Sequence, residues 1–279
     1  VLNRLRLAAI LISALAAFAA SLDAISVTRA QQNGQQSQVV PQATYAQNAP
    51  APLIILDPAH GGADPGAHGS NGINESDIVL EYARVMRVAL EGQGFRVLLT
   101  REGNQDPPFD DRAALANAPR RAIFISLHIS TTGAPGTVRA YSLPTLPAPE
   151  AFPIPESIVP PPVAQPTPHP GLRDWDHAQE PFLDLSRTLA GLAQVQLSQR
   201  FRGSPDTPME VAIRQLRTIA APAIAVEVSC IAVPNRSQLE DMSSPLAQAI
   251  AKAVSDFLPA YAAAAPPAAS TVSWPGSSQ

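Results

Sequence analysis

"LIILDPAHGGADPGAHGSNGINESDIVLEYARVMRVALEGQGFRVLLT", residues 53–100, carries the outline of a fold. Leu53–Asp57 is an apolar run short enough for a buried strand. Residues 76–91 place Ile78, Tyr82, Val85, Met86 and Ala89 on one face at helical spacing, and Gly92 and Gly94 end that helix. "FRVLLT" at 95–100 is a second strand. A strand–helix–strand unit of this length makes part of the sheet parallel. Between the first strand and the helix, residues 53–77 hold five glycines, two prolines, His60, His68 and Glu75. Packing does not require so much turn chemistry around two imidazoles and an acid. A metal ion would.

Outward from this unit the alternation continues. Residues 110–118 read as a short helix, 122–128 ("AIFISLH") as a buried strand and 137–143 as a further strand. Helical spacing resumes over 182–200, and 223–229 ("AIAVEVS") is a strand behind Pro222. Residues 244–258 form a final amphipathic helix with Ser244 as its expected cap. The class is α/β in a single domain spanning 53–260. Residues 144–181 are dense in proline and sustain neither helix nor interior strand, so they read as a surface insertion or a flap over the cleft, with Trp175 and His177 near its end. Residues 31–52 are a Gln- and Pro-rich linker, and 261–279 a flexible tail.

Composition narrows the function. Of 279 residues, 46% are hydrophobic, enough for a core, and the net charge of -4 argues against a nucleic-acid binder. The single cysteine, Cys230, rules out an intrachain disulfide and reads as a small buried residue, not a nucleophile. Arg4 and Arg6 precede a 14-residue apolar stretch, "LAAILISALAAFAA", which with Ala17-Phe18-Ala19 suits a signal peptide within residues 1–30. The alternative is an uncleaved anchor that tethers the chain to a membrane. Either places the domain in the periplasm or outside the cell.

Three strands deliver polar groups to their carboxyl ends, where sites gather in α/β sheets. His60 follows the first strand, His128 closes "AIFISLH", and Glu227 interrupts "AIAVEVS". Each has an ordinary explanation: a satisfied imidazole for either histidine, or a helix-dipole partner for Glu75. Glu227 is harder to dismiss, because an unpaired carboxylate between Val226 and Val228 costs several kcal/mol when buried. Two imidazoles and a carboxylate are a common catalytic zinc set with one position left for water. Glu75 is the candidate third ligand and His68 its competitor. Glu227 suits the carboxylate that takes a proton from water, and Asp57 or Asp64 could orient a ligand imidazole.

"ILDPAHGGADPGAHGSNGINESD" resembles the opening motif of zinc-dependent N-acetylmuramoyl-L-alanine amidases, whose zinc-binding glutamate lies fifteen residues after the histidine, as Glu75 does after His60. Thr100-Arg101, Arg112 with Ala116-Asn117, "FISLH" at 124–128 and "LRTIAAPAIAVEV" at 216–228 follow in the family's order. The resemblance implies a mixed, mainly parallel six-stranded sheet flanked by helices, His60, Glu75 and His128 as zinc ligands, and Glu227 as the catalytic carboxylate. It implies peptidoglycan as substrate, cut between N-acetylmuramic acid and L-alanine. It names no activator protein. Arg217 matches a family arginine and is expected to support a strand edge. Ala59, Ile129-Ser130 and Ser229-Cys230 depart from the family pattern, and their bulk is expected to narrow the site. These departures motivate one rival reading, a binding or regulatory pseudo-amidase; a second rival is a zinc peptidase of the same core with another amide substrate.

Overall fold

The computed structural model describes residues 51–145 and 175–264. Six strands form one sheet: β1 (Leu53–Pro58), β2 (Arg96–Leu99), β3 (Ala122–Ile129), β4 (Thr137–Ser142), β5 (Met209–Glu210) and β6 (Ala223–Ser229). Their order is β2-β1-β3-β6-β4-β5. β1 pairs in parallel with β2 and β3, and β3 with β6. β4 runs antiparallel to β6 and parallel to β5. The helices are α1 (Glu75–Glu91), α2 (Phe109–Asn117), α3 (Leu183–Arg200), α4 (Arg214–Arg217), α5 (Ser237–Glu240) and α6 (Ser243–Ala264). The sheet is mixed and mainly parallel, as expected.

Alternation along the strands gives each sheet face a different job. Ile54 and Leu56 of β1, Ile123, Ile125, Leu127 and Ile129 of β3, and Ile224, Val226 and Val228 of β6 point one way, into a core shared with α1, α3 and α6. On the other face Ile55, Phe124, Ala223 and Ala225 pack with Ala113 and Ala116 of α2 and Leu216 of α4. Continuing along the strands on this second face come Asp57, Ser126, His128 and Glu227. The apolar strand halves anchor the sheet, and the polar halves beyond α2 and α4 form the site.

Three expectations change. Ser244 does not cap α6, which begins at Ser243; its hydroxyl accepts a 3.3 Å bond from Gln248 Nε2. Pro259 does not end α6, and residues 261–264 of the expected tail are helical. The added turn buries Tyr261, which stacks on Phe257 at 5.6 Å between ring centroids and donates to the Ala122 carbonyl at 3.1 Å. That burial offsets the bond proline cannot donate. β5, α4 and α5 were not anticipated, being too short for periodicity to register. Of the proline-rich insertion, residues 146–174 lie outside the described residues, as do the expected signal or anchor (1–30), the linker up to residue 50 and the tail from 265. At the insertion's end Trp175–His177 and Glu180–Phe182 are 3₁₀ turns. Trp175 is half exposed; the anchor there is buried Gln179, which donates to the Ile219 and Ala221 carbonyls and accepts from Ser186 Oγ. Among the described residues no helix is long and apolar enough to cross a membrane.

Candidate metal centre

His60, Glu75 and His128 come together from the loop after β1, the first turn of α1 and the end of β3. One ligand atom from each lies within 4.8 Å of the others. Glu75 sits between the imidazoles, its Oε2 3.3 Å from His60 Nε2 and its Oε1 3.2 Å from His128 Nδ1. It is 3% exposed, and each carboxylate oxygen also accepts a backbone N–H at 2.9 Å, from Ala67 and from Ile129. Burial pushes the Glu75 carboxyl up, but the two imidazoles and the two N–H donors outweigh it and hold it well below the usual carboxylate range. His68 stands outside this group, its Nδ1 3.1 Å from Asn74 Oδ1.

Both imidazoles are aimed from behind. His60 Nδ1 lies 2.7 Å from Asp64 Oδ2, which leaves Nε2 facing Glu75. The Glu75 carboxylate and then Asp64 raise the His60 pKa to about 9 in the metal-free protein, against a smaller opposing effect of burial. His128 is held by a longer relay. Ser126 Oγ lies 2.8 Å from Asp57 Oδ2 and 3.2 Å from His128 Nε2. A hydroxyl has one proton, and the Asp57 carboxylate accepts it, so Ser126 oxygen is the acceptor for Nε2–H. The tautomer that results leaves the His128 Nδ1 lone pair directed at the cluster. Asp57 is itself fixed by Arg112 Nη1 and Thr100 Oγ1, at 2.7 and 2.6 Å. Asp64 therefore orients one ring directly, and Asp57 orients the other through Ser126.

The loop that carries His60 is held against strain. His60 has φ of 61°, a left-handed conformation uncommon outside glycine. Buried Arg101 donates to the carbonyls of Pro58, Ala59 and Ser76, and buried Arg112 to those of Pro58 and His60. Gly66, at φ of 69°, passes so close that a Cβ there would lie 2.6 Å from His60 Cδ2 and 2.7 Å from Glu75 Oε2. Only glycine satisfies both the backbone and the space.

Glu227 stands one strand over, paired in register with His128 across β3 and β6. Its Oε1 accepts a 3.1 Å bond from Tyr141 of β4. Burial, followed by the Glu227 charge and hydrogen bond, pushes the Tyr141 hydroxyl up to about 12, so it donates at neutral pH. A cleft of about 250 Å³ opens on the β1 side, lined in part by Ala59, His60, Pro107, Phe109, Arg112 and Gln215.

The departures from the amidase pattern crowd this centre less than expected. The Ile129 side chain enters the core on the opposite sheet face, and only its N–H turns towards Glu75. Cys230 is buried. Ala59 adds a methyl to the cleft wall. Arg217 gives its carbonyl to the Gln179 N–H, while its Nε is buried with no partner among the described residues. Sequence reasoning missed Ser126 and Tyr141. A polar residue at the same alternation as His128 was the available signal for Ser126; for Tyr141 there was none before the β4–β6 register was known.

The fold and the site define an α/β protein with a His–Glu–His candidate metal centre at the carboxyl edge of a mainly parallel sheet. The sequence profile of the N-acetylmuramoyl-L-alanine amidases matches residues 54–257. The chain belongs to that family. It is 38% identical over 95 residues to N-acetylmuramoyl-L-alanine amidase AmiC of Neisseria meningitidis serogroup B, covering 34% of this chain and 23% of that protein. It is 38% identical over 98 residues to the sporulation-specific N-acetylmuramoyl-L-alanine amidase of Bacillus subtilis, covering 34% and 38%. The chain thus spans roughly a quarter to two fifths of these relatives' lengths. Among solved structures, N-acetylmuramoyl-L-alanine amidase AmiC2 of Nostoc punctiforme superposes with a TM-score of 0.56 at 20% identity, covering 76% of this chain and 99% of that one. That likeness is one of fold.

Proposed function

We propose that this chain is a zinc-dependent amidase that cleaves peptidoglycan between the lactyl group of N-acetylmuramic acid and the L-alanine of the stem peptide. The observation that carries the reading is the convergence of His60, Glu75 and His128 within 4.8 Å, with Glu227 in register beside His128. Membership of the amidase family supports the choice of substrate. The donor set fits the ion: two neutral imidazole nitrogens with fixed tautomers and one carboxylate match the ligand types of catalytic zinc. When bound, zinc supplies a Lewis acid that acidifies water and polarises the scissile carbonyl.

The chain's own groups do the rest. His60, Glu75 and His128 hold the ion, with Asp64 and the Asp57–Ser126 pair keeping the rings aimed. Glu227 takes the proton of the attacking water and returns it to the leaving L-alanine nitrogen. Tyr141 donates to the Glu227 carboxylate from β4 and fixes its orientation. Peptidoglycan lies outside the cytoplasmic membrane, so the domain works in the periplasm or beyond it, delivered by residues 1–30 as a signal peptide or held there as an anchor.

The test is product analysis. The full chain should release peptides with a free L-alanine amino terminus from purified peptidoglycan and leave the glycan intact. Chelation should abolish release and zinc should restore it. Wall binding without release would mark a pseudo-amidase, and cleavage only within peptides would mark a peptidase; either outcome overturns the reading.

A further inference from the structure

β4 brings a cation to the edge of this site. The register β3–β6–β4 aligns His128, Glu227 and Arg139 side by side. Residues so paired share a sheet face, and neighbouring strands lie about 4.8 Å apart. Arg139 therefore flanks Glu227 on the side away from the metal centre. The two buried arginines near the site are spent: Arg101 on carbonyls, Arg112 on Asp57 and carbonyls. Arg139 is not. Its guanidinium touches Met209 Sδ at 3.7 Å and makes no ion pair among the described residues. Glu227 takes its hydrogen bond from Tyr141 instead.

The opposite side of the centre has a different character. The cleft there carries the Asp64 and Asp106 carboxylates beside Pro107, Pro108 and Phe109. Phe109 is 43% exposed, and the Arg214 guanidinium lies over its ring at 5.4 Å. Asp64 is paired with His60 and Asp106 with Arg112, so the Phe109 ring and the two prolines are what this side offers, and they suit the face of a neutral sugar. The amidase substrate has the matching asymmetry. Its muramic acid carboxyl is consumed in the scissile amide, so that side is neutral, while the stem peptide carries free carboxylates.

We propose that Arg139 binds a carboxylate of the stem peptide and so fixes the direction of the substrate, with the peptide over β4 and β5 and the sugar towards Pro107–Phe109. The inference rests on the amidase reading for the identity of the anion. A planar guanidinium takes a carboxylate through two parallel hydrogen bonds, which a lysine cannot reproduce. Losing such a contact weakens binding roughly tenfold to hundredfold.

The test uses the zinc-loaded full chain and muramoyl peptides that differ only in whether the peptide carboxylates are free or amidated. Wild type should prefer the free acids. In Arg139→Gln that preference should collapse by about tenfold or more, carried by KM, and Arg139→Lys should restore part of it. Calorimetric titration of the released peptide, free against amidated, reads the same discrimination without turnover. If wild type binds the free acid preferentially but releases nothing from peptidoglycan, the amidase reading falls and Arg139 stands as an anion site. If turnover is normal and Arg139→Gln keeps the preference, or loses kcat alike on both substrates, the carboxylate role is overturned while the amidase reading survives.

Discussion

Replacing Gly66 by alanine tests the metal centre through a residue that is not itself a ligand. The added Cβ would lie 2.6 Å from His60 Cδ2 and 2.7 Å from Glu75 Oε2, against about 3.4 Å for ordinary contact. One or both side chains must retreat by about 0.7–0.8 Å. Zinc ligand distances tolerate about 0.2 Å, so the displaced set can no longer close on the ion. Loosening the groups that only orient a ligand weakens metal binding about 10–100-fold. Shifting two ligands should reach the upper end, about 100-fold. The backbone adds a second effect, because a left-handed alanine costs roughly 1–2 kcal/mol and lowers Tm by several degrees. Gly72 separates the two. Its φ is 74°, and a Cβ there would meet nothing within 4 Å. Gly72→Ala should show only the backbone share of the loss in metal-free Tm, with unchanged zinc affinity. Competition with a chromophoric chelator measures the affinity, and calorimetry the Tm. Equal zinc affinity in the two variants would refute the placement of Gly66 against a metal-binding pair.

Glu227→Gln should keep zinc and lose turnover by about 10²–10⁴-fold, since the proton acceptor is gone and the ligands remain; near-normal turnover would remove Glu227 from the mechanism. Ser126→Ala should weaken zinc binding about 10–100-fold by freeing the His128 ring, and an unchanged dissociation constant would show the Asp57–Ser126 relay to be idle. For the metal-free protein, pH acts through two groups of opposite sign. His60 is raised from 6.5 to about 9, so its contribution is complete below pH 6.5 and disappears as pH climbs through about 9. Glu75 is lowered from 4.5, so its contribution is complete above pH 4.5 and is lost in acid. Metal-free Tm should therefore peak between pH 4.5 and 6.5, while zinc affinity rises towards pH 9 as the proton leaves His60. A Tm that still rises from pH 7 to 9 without metal would contradict the His60–Glu75 pairing.

The fold was legible where one physical signal dominated. The apolar runs at 53–57, 122–128 and 223–229 are strands buried on both faces, and nothing else of that length and composition competes with them. α1 declared itself through spacing because its outer face meets water. The misses share a cause. β5 has two residues and α4 and α5 four each, about one period of the strand or helix pattern, so nothing repeats. The persistence of α6 through Pro259 depends on Tyr261 reaching Ala122, a contact 139 residues away in the chain.

The site divides along the same line. His60, His128 and Glu227 were readable because each is a polar group at or just past the end of an apolar strand, a local anomaly, while Glu75 was chosen over His68 by the amidase-like spacing of fifteen residues from His60. What aims them is not local. Ser126 looks like a tolerated small residue until Asp57 is seen 2.8 Å away, and Asp57 is held in turn by Arg112 from α2 at 2.7 Å. Arg139 and Tyr141 sit in a strand whose sequence, "TVRAYS", gives no sign of its neighbour. β4 follows β3 in the chain but pairs antiparallel with β6, and that register sets Arg139 opposite Glu227. Moving the register by one residue would turn both side chains into the α3–α6 core, where neither a guanidinium nor a phenol aimed at Glu227 could be accommodated. The candidate ligands follow from what each single element carries, whereas the surroundings of Glu227 follow from how the strands are ordered, and the second cannot be read without the first being folded.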